Sequence, residues 1–287
     1  MTPSRSHLVE IRGLPYHVRS WGDADAPPLV LLHGWMDVSA SFQFLVDALA
    51  GRWHCLAPDW RGFGLSGWAA DGYWFPDYLA DLEALLDALA GAAPVPLVGH
   101  SMGGNIACLY AGVRPARVSH VVSLEGFGLA PTRPDEAPGR YARWLDELKT
   151  VPEFSHYPSP DAVKRRLQKN NPRLRDEQAA FLARHWAQVA ADGAELRSDP
   201  RHKRPNPVLY RLEEAMACWR RIAAPVLFVR GAESPASRLI EAAPEAYAER
   251  TACFARLREE VLADAGHMLH HDQPLRLAQA IERFLGS

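Results

Sequence analysis

The sequence predicts an α/β protein with a mostly parallel central sheet, helices on both of its faces and an inserted helical cap. Three observations carry this. Short apolar runs alternate with segments of helical periodicity over the first 125 residues. The alternation stops over 131–222, where only helical spacing can be read, and it resumes at 225. Alternating strands and helices close into right-handed crossovers and a parallel sheet. The chain has 287 residues, 48% of them hydrophobic, enough for one large core with an inserted lobe.

The elements follow in order. "HLVEIRG" and "PYHVRSWG", split at Leu14-Pro15, read as an antiparallel hairpin. "PLVLLH" (28–33) is a buried strand, "ASFQFLVDALAG" (40–51) a helix ending on glycine, and "WHCLAPD" (53–59) a strand. In "FPDYLADLEALLDALAG" (75–91) the leucines at 79, 82, 85, 86 and 89 repeat every three to four residues, which predicts an amphipathic helix. "VPLVG" (95–99), "MGGNIACLYAGV" (102–113) and "VSHVVSLE" (118–125) continue as strand, helix and strand. The core is expected over 1–130 and 223–287, the cap over 131–222. Within the cap, helices are expected at 139–149, 161–169, 176–192 and 207–221, separated by Pro-rich joints, with no strand. "PVLFVRG" (225–231) and "EEVLADAGH" (259–267) give the last strands, and "DQPLRLAQAIERFLG" (272–286) the final helix.

Composition narrows the function classes. A net charge of −2 lacks the basic surface that nucleic acid requires. No apolar run approaches the roughly 20 residues that span a bilayer, and the first residues carry no apolar signal segment. The four cysteines are scattered and read as buried small hydrophobes rather than disulfides or metal ligands. These features predict a cytoplasmic chain, monomer or homodimer, that acts on a small molecule. No Cys/His/Asp cluster has metal-ligand spacing and no G-x-G-x-x-G follows a strand, so no cofactor is expected.

The motif that carries chemistry is Gly99-His100-Ser101-Met102-Gly103, set between a predicted strand and a predicted helix. A serine on such a sharp turn is lifted clear of the sheet, and the following helix aims its N–H groups at the same point. With "LLHGW" (31–35), "PDWRGFGLS" (58–66), "GHSMGG" (99–104) and "AGHMLHHDQP" (265–274), the sequence resembles the α/β-hydrolase superfamily over nearly its whole length. It is most similar to capped serine hydrolases that share ancestry with haloalkane dehalogenases and epoxide hydrolases. Those two groups use an aspartate nucleophile, and this chain has Ser101.

The resemblance implies acyl transfer, with Ser101 as nucleophile and His267 as its base. It also implies an oxyanion hole from the backbone N–H groups of Trp35 and Met102. His100 is expected to pack or to wall the site, and Asp59 and Arg61 to brace loops. In most members the triad acid lies three positions past the glycine of "PVLFVRG", which here is Ser234, a residue that cannot carry the charge. Two acids are candidates. Glu125 closes a strand expected beside the serine strand and would need a partner if buried; Glu233 is the alternative, one position before Ser234. Glu125 is the first choice.

The cap aromatics Tyr141, Trp144, Phe154, Tyr157, Phe181, Trp186 and Trp219 are expected mostly to fill a small core of their own, with two or three lining an apolar pocket. "RHKR" (201–204) reads as a solvated loop. The first expectation is therefore an esterase for a small, apolar carboxylic ester. The same triad could cleave a C–C bond of a β-diketone or an amide, and some members of the superfamily are small-molecule receptors, because fold leaves the reaction open.

Overall fold

The computed structural model describes residues 1–150 and 152–286; Val151, which opens the second Pro-rich joint, lies outside them. Strands β1 (Ser4–Ile11) and β2 (Leu14–Trp21) form the predicted hairpin. Its turn is Arg12-Gly13 rather than Leu14-Pro15, with positive φ at both residues (49° and 79°), the geometry that two-residue hairpin turns require.

The alternating region follows as β3 (Pro28–Leu32), α1 (Gln43–Ala48), β4 (His54–Pro58), α2 (Phe75–Ala90), β5 (Val95–His100), α3 (Met102–Val113) and β6 (Val118–Leu124). The chain then leaves the sheet for α4 (Ala137–Leu148), α5 (Pro160–Asn170), α6 (Asp176–Trp186), β7 (Ala187–Ala190), β8 (Gly193–Leu196) and α7 (Leu212–Trp219). It returns through β9 (Val226–Gly231), α8 (Pro235–Ala242), α9 (Pro244–Thr251), β10 (Leu257–Leu262), α10 (Leu269–Asp272) and α11 (Pro274–Leu285).

The eight-stranded sheet has the order β1-β2-β4-β3-β5-β6-β9-β10. β2 pairs antiparallel with β4, and every pairing from β4 to β10 is parallel. Alternate residues of each strand feed opposite faces. Val30, Leu32, Leu97 and Val121 pack with Leu82, Ile106 and Trp219 of α2, α3 and α7 on one side. Leu29, Leu31, Val98 and Val122 pack with Leu45, Leu277 and Ile281 of α1 and α11 on the other. No helix among the described residues is long and apolar enough to cross a membrane.

The insertion differs from the sequence expectation. The helix expected to reach 192 stops at Trp186, because the next residues pair as the β7–β8 hairpin, turning at Ala191-Asp192. The segment 207–221 is helical only over α7, after a stretch with no regular structure that carries Pro205 and Pro207; proline lacks the N–H that a helix interior needs. The last strand is β10, and 263–268 is a loop. Helices α8 and α9 are only eight residues each, too short for a repeating apolar period to be read in sequence.

Candidate active site

β5, β6 and β9 are neighbours in the centre of the sheet. Their carboxyl ends therefore set Ser101, Glu125 and the loop after Gly231 side by side, the edge at which open α/β sheets bind ligands. Ser101 has φ 51° and ψ −112°, and Glu125 has φ 60°. Non-glycine residues in such conformations carry strain of order 1–3 kcal/mol and concentrate at functional sites. The turn holds because Ser101 N–H donates to Leu124 O (2.7 Å) and Ser101 O accepts from Asn105 N–H (3.0 Å).

The Glu125 side chain is fully buried. Its Oε1 accepts the Gly231 N–H at 2.7 Å, and its Oε2 lies 3.3 Å from His267 Nδ1. A buried carboxylate without partners would be costly; here one oxygen is pinned by the backbone and the other meets an imidazole. Glu233 points elsewhere. Its side chain is 53% exposed and ion-paired with Arg173 of the insertion. Ser234, at the customary acid position, is buried and caps α8, its hydroxyl accepting the Ser237 N–H at 3.0 Å.

His267 lies in the loop after β10, with its side chain 41% exposed. Its backbone carbonyl accepts from His100 Nε2 (2.9 Å), and the two rings are 4.8 Å apart. His100, expected to pack or to wall the site, thus also ties the His267 backbone to the end of β5. Asp272 braces the same loop by accepting the Gly266 N–H (2.8 Å) and Asn171 Nδ2 of the insertion (2.7 Å). Among the described residues no hydrogen bond joins Ser101 Oγ to the His267 ring. Such contacts are often long until substrate is bound.

The "HGW" loop closes the site from β3. A methyl group placed on Gly34 would sit 3.3 Å from Ser101 Cβ and 3.0 Å from His100 Nδ1, so this backbone passes directly over the serine. Trp60 fixes the loop by donating its N–H to His33 Nε2 (2.8 Å) and its indole N–H to His33 O (3.0 Å). Burial pushes His33 down to about 4. Met102 is the first residue of α3 and carries one of the amides that a helix start leaves unshared. Trp35 and Met102 both line a cavity of about 170 Å³, together with Tyr73, Phe75, Trp144 and Arg204. The Trp35 side chain is 53% exposed.

Asp59 and Arg61 brace loops. Asp59 accepts the N–H groups of Ser39 (2.6 Å) and Leu65 (2.9 Å) and pairs with His17 (2.8 Å). Arg61 grips buried Asp81 with two 2.5 Å contacts. The basic run 201–204 does not point wholly to solvent. His202 is buried, stacked between Phe63 (3.9 Å) and Tyr73 (3.6 Å), and Arg201 and Arg204 line the cavity. Tyr157, Phe181 and Trp186 join the small core of the insertion, Trp219 joins the main core, and Trp144 reaches the cavity. Tyr141 is exposed, and Phe154 lies beneath Lys203 Nζ.

The family model for the alpha/beta hydrolase fold matches residues 27–274, and the chain belongs to that family. It is similar to a serine hydrolase-like protein of Danio rerio, at 27% identity over 96% of this chain and 85% of the relative. It is 31% identical to a 3-hydroxybutyrate-oligomer hydrolase of Cupriavidus necator over 96% of this chain and 93% of that protein. Among solved structures, a thioesterase domain from the curacin biosynthetic pathway superposes with TM-score 0.88 at 24% identity, covering 98% and 99% of the two chains. The protein is an enzyme of the serine-hydrolase-like kind within this family.

Proposed function

We propose that the chain hydrolyses a small, apolar carboxylic ester through an acyl-enzyme formed on Ser101. The observation that carries this reading is the buried Glu125 carboxylate, held on one oxygen by Gly231 N–H and set 3.3 Å from His267 Nδ1 by the other. In the mechanism, Glu125 keeps the proton of His267 on Nδ1 and steadies the imidazolium. Nε2 takes the Ser101 hydroxyl proton as Oγ attacks the ester carbonyl. The oxyanion is received by the N–H groups of Trp35 and Met102, each such donor being worth about 3 kcal/mol. His267 then returns the proton to the departing alcohol. Water repeats the sequence, releasing the acid and restoring Ser101.

The aromatic side of the cavity and the name of the Cupriavidus necator relative support a small organic acyl group. An amide or a C–C bond α to a carbonyl would use the same groups. The division into a core (1–130, 223–287) and a cap (131–222) rests on the chain leaving at β6 and returning at β9, although α7 packs on α3 of the core. Four free cysteines fit a reducing, cytoplasmic setting. Kinship with dehalogenases and epoxide hydrolases rests on the cap and on the acid following β6.

Steady-state kinetics on a panel of esters, amides and β-diketones, with Ser101→Ala as control, tests the reaction. Glu125→Gln should lower kcat about 10⁴-fold, and Glu233→Gln should leave it within about twofold. The reverse pattern would move the acid to Glu233.

A further inference from the structure

Three buried side chains gathered around His100, the residue before Ser101, are each anchored through one atom and bare at another. Asp37 Oδ1 accepts the Val38 N–H (2.8 Å) and the Trp186 indole N–H (3.0 Å), while Oδ2 has no partner. His100 Nε2 is bound to His267 O, while Nδ1 has no partner. His270 Nε2 meets Ser41 Oγ at 3.0 Å, while Nδ1 has no partner. One donor atom from each residue lies within 4.8 Å of the others; the His270 nitrogen that faces Asp37 Oδ2, at 3.9 Å, is Nε2, whose contact with Ser41 Oγ a cation there would replace. Far apart in sequence, these residues have no ligand spacing to read; the loop after β3, the end of β5 and α10 bring them together.

We propose that Asp37, His100 and His270 form a site for a late first-row divalent cation, Zn²⁺ foremost, and that its occupancy inhibits hydrolysis at Ser101. Two imidazoles and a carboxylate are a donor set that suits zinc. Ligating histidines commonly hold their other nitrogen on a backbone carbonyl, as His100 does on His267 O. A cation supplies the partner that the Oδ2 of buried Asp37 lacks.

Bonds of about 2.1 Å in a tetrahedron need donors roughly 3.4 Å apart, so the cluster must contract on binding. His100 cannot shift without moving the His267 carbonyl it holds or the Gly34 backbone beside it. That is the link from occupancy to inhibition. The binding claim stands alone; the inhibition claim rests on the proposed role of Ser101.

The test titrates untagged, metal-free full chain with Zn²⁺ against a chromophoric chelator, alongside ester turnover. One equivalent should bind, with affinity lowered about 100-fold or more by Asp37→Asn or His270→Gln. Equimolar Zn²⁺ should suppress wild-type turnover, EDTA should restore it, and both variants should need at least tenfold more metal. Circular dichroism checks that the variants fold. X-ray absorption on wild type, which needs no variant, should show two imidazoles on the zinc. No saturable binding, equal affinity in the folded variants, or fewer than two imidazoles would overturn the site and leave a pocket for water. Binding as described without inhibition would overturn the second half. Ser101→Ala turnover, measured without metal, separates that result from failure of the serine reading.

Discussion

Ser101 and Glu125 end adjacent strands, and both have positive φ. The serine was legible from its glycine-flanked turn. Glu125 was legible as the acid for His267 from its place at a strand end and from the family resemblance; no spacing in the sequence marks the pair, because the contact joins residues 125 and 267 across the sheet edge. His100 shows the same limit. Its neighbour in sequence is Ser101, yet its hydrogen bond runs to the loop after β10. Asp59 gives a prediction at this scale. Burial alone would raise its carboxyl, but the His17 ring and charge, the charge of His33 and the Leu65 N–H hold it down to about 2, against 3.8 ordinarily. A depressed value means stabilisation that is present above pH 4 and lost as pH falls through about 2. Urea unfolding at pH 5 and pH 2 should show about 2 kcal/mol from this group, and Asp59→Asn should remove that part of the acid dependence.

At the scale of elements, α3 starts where it does because its first turn presses on the sheet. A Cβ on Gly103 would lie 2.0 Å from Leu32 O, so helix and strand approach more closely than a side chain permits. Gly103→Ala should cost about 3 kcal/mol in urea unfolding and lower turnover by shifting Met102. Wild-type stability in that variant would show the contact to be slack. The central strands β3, β4, β5, β6 and β9 were readable because they are short, largely buried apolar runs, and α2 because its leucines keep helical period. The β7–β8 hairpin, α8 and α9 were not, since short half-exposed elements carry no such period. The basic run 201–204 was misjudged for a related reason: charge predicts solvent, whereas His202 is held by two aromatic rings contributed from 63 and 73.

Across the whole molecule, the insertion and the site loops interlock. The small core of the insertion includes Val38, Ala40 and Phe44, just after the "HGW" loop. Trp186 binds Asp37, and Asn171 binds Asp272. The fold class and the existence of the insertion were legible from alternation and its interruption; these cross-contacts depend on three-dimensional closure and leave no local mark. Phe181, packed on Phe44 at 5.7 Å, tests the coupling. Phe181→Ala should cost about 3 kcal/mol or more and disturb KM more than kcat, as read in unfolding curves and ester kinetics. The central claim, a serine made nucleophilic by His267, is tested most directly by reacting the purified chain with a fluorophosphonate and locating the adduct by peptide mass spectrometry. The account predicts a single adduct on Ser101, formed at least about 10²-fold more slowly in His267→Ala. No adduct, or one that forms on Ser101 at an unchanged rate without His267, would contradict it.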